Sequence, residues 1–126
     1  MNRFLFIAIG AALGANARYL IGLWAANRLG AAFPYGTLIV NITGSFLLGF
    51  VITLTTERLT IVPEARLLLA VGFLGSYTTF SSFTVESLGL LRDSGLWPGL
   101  INILANNMIG LICAALGVYL ARLIGR

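Results

Sequence analysis

Four long apolar stretches, each ended by charged or turn-forming residues, take up nearly the whole chain. They lie at about residues 4–26, 36–54, 65–91 and 98–123. A helix needs roughly 20 apolar residues to cross the hydrocarbon core, so each stretch predicts one crossing. The first is interrupted by Asn16 and Arg18, and the third is longer than a single crossing requires. At the middle of that third stretch stands Gly75-Ser76-Tyr77-Thr78-Thr79-Phe80-Ser81-Ser82-Phe83, a polar and aromatic run at membrane depth. Unpaired backbone and hydroxyl groups are expensive in hydrocarbon, so such a run is tolerated only inside protein or along a wet path. The pattern predicts an all-α membrane protein, a single domain over residues 1–126, with its third helix broken near the middle.

The connectors agree with these spans. Arg28, Gly30 and Pro34 fall in the first, Glu57, Arg58 and Pro63 in the second, and Arg92-Asp93-Ser94-Gly95 makes the third. Pro63-Glu64 suits the first turn of a helix, with an acid at the positive end of the dipole. Trp97 is placed as an interfacial anchor. Arg3, the apolar run up to Gly14 and Ala15-Asn16-Ala17 have the form of a cleaved leader. Apolar sequence resumes from Tyr19 to Ala26, which predicts a retained first helix instead.

Charge adds orientation. Four crossings put both termini on one side, with Arg3, Arg58, Arg66, Arg122 and Arg126. Arg28 and Arg92 lie opposite, and Arg18 is embedded nearer to them. By the positive-inside rule the termini are expected in the cytoplasm. The net charge of +4 does not point to nucleic acid, because the 126 residues include no lysine and the arginines sit singly at span ends. With 59% hydrophobic and 10% charged residues, the chain leaves little to cover a water-exposed surface. With no histidine and one cysteine, Cys113, zinc, haem and iron–sulfur sites are not expected. No nucleophile has a plausible base and there is no phosphate loop, so an enzyme is not expected.

Polar stripes run along three of the predicted helices. Thr37, Asn41 and Ser45 share a face of the second, Thr79, Ser82 and Glu86 lie together on the third, and Asn102 and Asn106 align with Gly110 on the fourth. Any one of these could simply glue helices together; three stripes at once are better read as lining a pathway. Gly10 and Gly14 read as a close-packing face, which also fits dimerisation. Glu86 is the only acid inside a span, whereas Arg18, Asn41, Asn106, Ser82 and Thr79 offer donors and positive potential. That balance favours an anion. Phe80 and Phe83, three residues apart, could add the electropositive edges of their rings, although core packing is the ordinary role of an aromatic.

Three motifs then fall in order: Gly14-Ala15-Asn16-Ala17-Arg18-Tyr19, Gly36-Thr37-Leu38-Ile39-Val40-Asn41-Ile42-Thr43-Gly44-Ser45-Phe46, and Gly72-Phe73-Leu74-Gly75-Ser76-Tyr77-Thr78-Thr79-Phe80-Ser81-Ser82-Phe83. Together they resemble the signatures of the Fluc (CrcB) fluoride channels. The resemblance implies a four-helix subunit of an antiparallel, dual-topology homodimer in a prokaryotic inner membrane, passively exporting fluoride with selectivity over chloride. Phe80 and Phe83 would line the fluoride sites, Asn41 would line the pore, and Thr79, Ser82 and Glu86 would form a polar track. Asn106 would join the pathway on periodicity alone. Arg18 would stand near a vestibule. A structural sodium ion would be held between subunits by the backbone carbonyls of Gly75 and Thr78. The family often has threonine where Ser82 stands, a change that keeps the hydroxyl.

Two other readings make different demands. A small multidrug-resistance-type proton antiporter also has four spans, but it needs a carboxylate in the first span, which holds none, so Glu86 would have to serve. A non-transporting subunit of a larger membrane complex would tolerate apolar replacements of Asn41 and of the run from Thr79 to Phe83.

Overall fold

The structure is a computed structural model that describes residues 2–124; Arg126, counted above with the terminal-side arginines, lies outside them. Four helical segments are long and apolar enough to cross a membrane, and the described residues contain no strand. The first, α1, is Asn2–Leu29 and the second, α2, is Tyr35–Arg58. The third segment, Pro63–Asp93, is divided into α3 (residues 63–77) and α4, Phe80–Asp93. The last, α5, is Leu96–Leu123. Every segment covers its predicted span, and α2 overruns the prediction by one further turn.

The helix ends follow from local chemistry. Gly30, at φ +89°, adopts a conformation that a side chain disfavours, and its N–H closes α1 on Ala26 O at 3.1 Å. Gly95, at φ +101°, makes the equivalent turn before α5. Pro63 and Glu64 open α3 as expected. Three stretches widen to π-type turns, Leu54–Arg58, Leu67–Leu74 and Ala105–Ile109. Nothing in the periodicity announced them.

Packing relies on small residues because lipid offers helices no hydrophobic drive to associate. A Cβ on Gly10 or Gly14 would fall on backbone atoms of Leu68 or Phe73, so this face of α1 is occupied by α3 of the same chain. The Gly10 and Gly14 pair is therefore a packing device within one subunit, and it is not available for dimerisation. Across the bundle, a Cβ on Gly49 would lie 2.5 Å from Ala114 O, and one on Gly117 would meet the Phe46 carbonyl, which locks α2 to α5. The third segment is the most enclosed, with 33% of its most apolar window buried against 11% for the first and last. Val40, Leu74 and Tyr77 form the small core beside the helix break.

At the terminal end, Arg122 donates twice to Glu57, at 3.0 and 2.9 Å, and Arg58 donates to the Arg122 carbonyl at 2.8 Å. These contacts tie the end of α2 to the end of α5.

Candidate functional site

The break is made by two residues. Thr78 (φ −83°, ψ 157°) and Thr79 (φ −149°, ψ 116°) are extended, so the helical hydrogen-bond ladder stops between α3 and α4. Buried backbone groups freed in this way must find partners. Asn41 of α2 supplies them for Thr79: Thr79 N–H donates to Asn41 Oδ1 at 2.8 Å, and Asn41 Nδ2 donates to Thr79 O at 3.1 Å. The Thr79 hydroxyl caps α4 by accepting from Ser82 N–H at 3.2 Å, and it donates to Ser82 Oγ at 3.0 Å.

From Asn41 the network continues across three helices. Its Nδ2 also donates to Asn106 Oδ1 at 3.0 Å, and Asn106 Nδ2 donates to Asn102 Oδ1 at 3.0 Å and Asn102 O at 2.9 Å. Asn102, 0% exposed, donates to Ser87 Oγ at 2.9 Å, and Ser87 donates to Phe83 O at 2.7 Å. The direction of the chain is fixed at both ends by backbone groups. An N–H can only donate, so the Asn41 atom facing Thr79 N–H is the oxygen; the Phe83 carbonyl can only accept. Both amide hydrogens of Asn41, and both of Asn106, are therefore used inside the protein in this conformation. The Ser82 hydroxyl accepts from Thr79 and keeps its own hydrogen free.

Three grooves with shared lining residues adjoin this network. The largest of the three, about 440 Å³, lies by the 30–36 loop and is walled by Thr37, Glu86 and Asp93. Thr37 also lines a second, about 320 Å³, with Arg18, Thr79 and Ser82. Thr79 in turn lines a third, about 230 Å³, with Asn41, Phe80, Phe83 and Asn106. Thr37 is common to the first two grooves and Thr79 to the second and third, so the three lie in sequence from the loop end of the bundle to the break. Arg18 makes no ion pair among the described residues. Thr37 donates to Glu86 Oε1 at 2.9 Å, while Glu86 Oε2 is buried without a partner.

The structure thus gathers Asn41, Thr79, Phe80, Phe83 and Asn106 around one groove and places Arg18 with Ser82 in the next. Glu86, one turn after Ser82 on the same face of α4, lines the outermost of the three grooves. The two rings differ in setting: Phe83 is 7% exposed and Phe80 75%, with centroids 5.7 Å apart and planes tilted by 57°. Ser87 was not anticipated as part of the site. Its only sequence signal is its place four residues after Phe83, which does not reveal that Asn102 lies across from it. The Tyr77 hydroxyl, paired with Thr43 Oγ1 at 2.9 Å, was likewise unread.

The chemistry of the break also fits a cation held by oxygen. In an unbroken helix the Gly75 carbonyl would accept from Thr79 N–H, and the Thr78 carbonyl from Ser82 N–H. Those two donors turn to Asn41 Oδ1 and Thr79 Oγ1, which releases both carbonyls. Gly75 is exposed on the outer face of the subunit.

Four helical segments able to cross a membrane, the third broken at Thr78 and Thr79 beside grooves lined by polar side chains, define a multi-pass membrane protein. The sequence matches the family described as CrcB-like protein, Camphor Resistance (CrcB), over residues 5–118. It is 49% identical over 126 residues to a protein of Chloroflexus aurantiacus described as fluoride-specific ion channel FluC, covering 99% of each chain. A Solibacter usitatus protein of the same description is 48% identical over 120 residues, covering 95% of this chain and 98% of its own. A third, from a Sulfurihydrogenibium species, is 45% identical over 124 residues, covering 98% and 100%. The chain belongs to the CrcB family. These relatives are all described as ion channels and none as an enzyme.

Proposed function

We propose that this chain forms a fluoride-selective channel that lets cytoplasmic fluoride leave a prokaryotic cell down its gradient. The observation that carries the reading is the pair of adjoining grooves at the helix break, one lined by Arg18 and Ser82 and the other by Phe80, Phe83 and Asn41, with Asn41 bracing the break. Fluoride is small and strongly hydrated, so a narrow path must replace water with close donors along its length. Arg18 raises the local concentration of anions at the inner groove. The free Ser82 hydrogen and the ring edges of Phe80 and Phe83 then offer positive contacts without a permanent charge to trap the ion. Asn41 releases Asn106 as fluoride arrives, exchanging one internal hydrogen bond for one to the ion.

The working unit is an antiparallel homodimer. Asn16, Ser81, Thr84 and Asn107 are exposed at membrane depth, where bare lipid is a poor partner. Three of them, Asn16, Thr84 and Asn107, bond back to their own helices, to Ala12 O, Ser81 O and Ile103 O. A second copy over this face would also enclose Phe80. The released Gly75 and Thr78 carbonyls would hold a sodium ion between the subunits; when bound, it supplies positive charge that ties the two breaks together. The antiporter alternative gains no support from the relatives' descriptions, and Glu86 is its only candidate carboxylate within a span.

The test is efflux from potassium-fluoride-loaded liposomes with valinomycin and a fluoride electrode, with chloride-loaded vesicles in parallel. Rapid fluoride release with negligible chloride release is expected. A folded, reconstituted dimer that released no fluoride would refute the channel.

A further inference from the structure

The terminal end of the bundle carries another charged groove, which shares no lining residue with the three beside the break. It has a volume of about 570 Å³ and is walled by Arg3 of α1, Thr55 of α2, and Pro63, Arg66, Leu67 and Val71 of α3. The arginines of this end divide into two groups. Arg122 is neutralised by Glu57, and Arg58 is turned onto the Arg122 carbonyl. Arg3 and Arg66 have no carboxylate partner among the described residues, and these are the two that share the groove. The Thr55 hydroxyl donates to the Val51 and Ile52 carbonyls of its own helix, so it competes with neither. The nearest acid in sequence, Glu64, makes no ion pair and does not line the groove.

Beyond the arginines the wall becomes apolar. Leu67 and Val71 continue down α3 toward the membrane interior, and Val71 is exposed. Two unpaired guanidinium groups at the membrane surface above an apolar strip match one ligand chemistry, a phosphodiester head with an acyl chain attached. Guanidinium recognises phosphate oxygens with paired donors, and basic pockets at helix ends are sites for anionic head groups. We propose that this groove binds an anionic phospholipid, its phosphate between Arg3 and Arg66 and one acyl chain along Leu67 and Val71. A zwitterionic lipid brings its own cation to the same two arginines and is held more weakly.

Native mass spectrometry of the purified full-length protein, with phosphatidylglycerol or phosphatidylcholine added, tests the site. Phosphatidylglycerol is expected to remain bound where phosphatidylcholine dissociates. In the Arg3→Gln/Arg66→Gln variant its affinity is expected to fall roughly thirtyfold, the effect of two arginines near a surface. The Arg28→Gln/Arg92→Gln variant, altered at the other end, retains it. Equal retention of both lipids by the unaltered protein overturns the proposal without recourse to any variant, as does full retention by Arg3→Gln/Arg66→Gln. Displacement of the lipid by millimolar inorganic phosphate also overturns it, since the groove would then be a free-anion site that makes no use of Leu67 and Val71.

Discussion

Asn41→Asp changes one atom group and tests the polarity of the whole network. The side chain keeps its shape, and one carboxylate oxygen can still accept from Thr79 N–H at the present 2.8 Å. The other oxygen replaces Nδ2, which donates to Thr79 O at 3.1 Å and to Asn106 Oδ1 at 3.0 Å. Two attractive contacts become oxygen facing oxygen. Interhelical hydrogen bonds in membranes average ~0.6 kcal/mol with a maximum near ~1.7, so losing two gives about 1–3 kcal/mol. Thr79 is buried, and a buried acceptor left unpaired costs about 1–3 kcal/mol. The two estimates coincide, so we expect a destabilisation of about 1–3 kcal/mol. Fluoride efflux should fall at least tenfold, because the break loses its brace and a carboxylate repels the anion. Thermal unfolding in detergent and efflux from liposomes measure the two effects. An Asn41→Asp protein with the midpoint and efflux of the unaltered chain would show that Asn41 does not donate to Thr79 and Asn106, and the polarity derived for the network would be wrong.

Ser87→Val leaves the fully buried Asn102 amide without its acceptor and should lower stability by about 1–3 kcal/mol, whereas Ser87→Thr, which keeps the hydroxyl, should recover most of it in the same melt. Gly14→Ala drives a methyl onto the Phe73 carbonyl and should destabilise by about 1–3 kcal/mol, while Gly89→Ala, whose Cβ would meet nothing within 4 Å, should be neutral or mildly stabilising; equal midpoints for the two would contradict the close α1–α3 contact. Phe80→Ile and Phe83→Ile remove the ring edges with little loss of apolar bulk, and each should slow fluoride release severalfold or more without opening a path for chloride. Normal fluoride conduction by both would end the ring-edge proposal.

Span number and approximate boundaries were legible in the sequence because crossing hydrocarbon imposes a length and a composition that local residues must meet on their own. The break was legible for the same reason: a hydroxyl-rich run such as Thr78 to Ser82 has no place on a lipid-facing helix. The residue types of the path, Asn41, Asn106, Ser82, Phe80 and Phe83, stood out as polar or aromatic groups at the wrong depth. What they bond to did not. That Asn41 pairs with the backbone of Thr79, that Asn102 is buried against Ser87, and that Thr37 donates to Glu86 depend on which helix faces which. Gly10 and Gly14 read as a close-packing face that also fitted dimerisation, and only the positions of Leu68 and Phe73 show that the partner is α3 of the same chain. Hydrogen-bond partners across helices are set by the docking of distant segments, and a pattern read along one chain carries no term for that geometry.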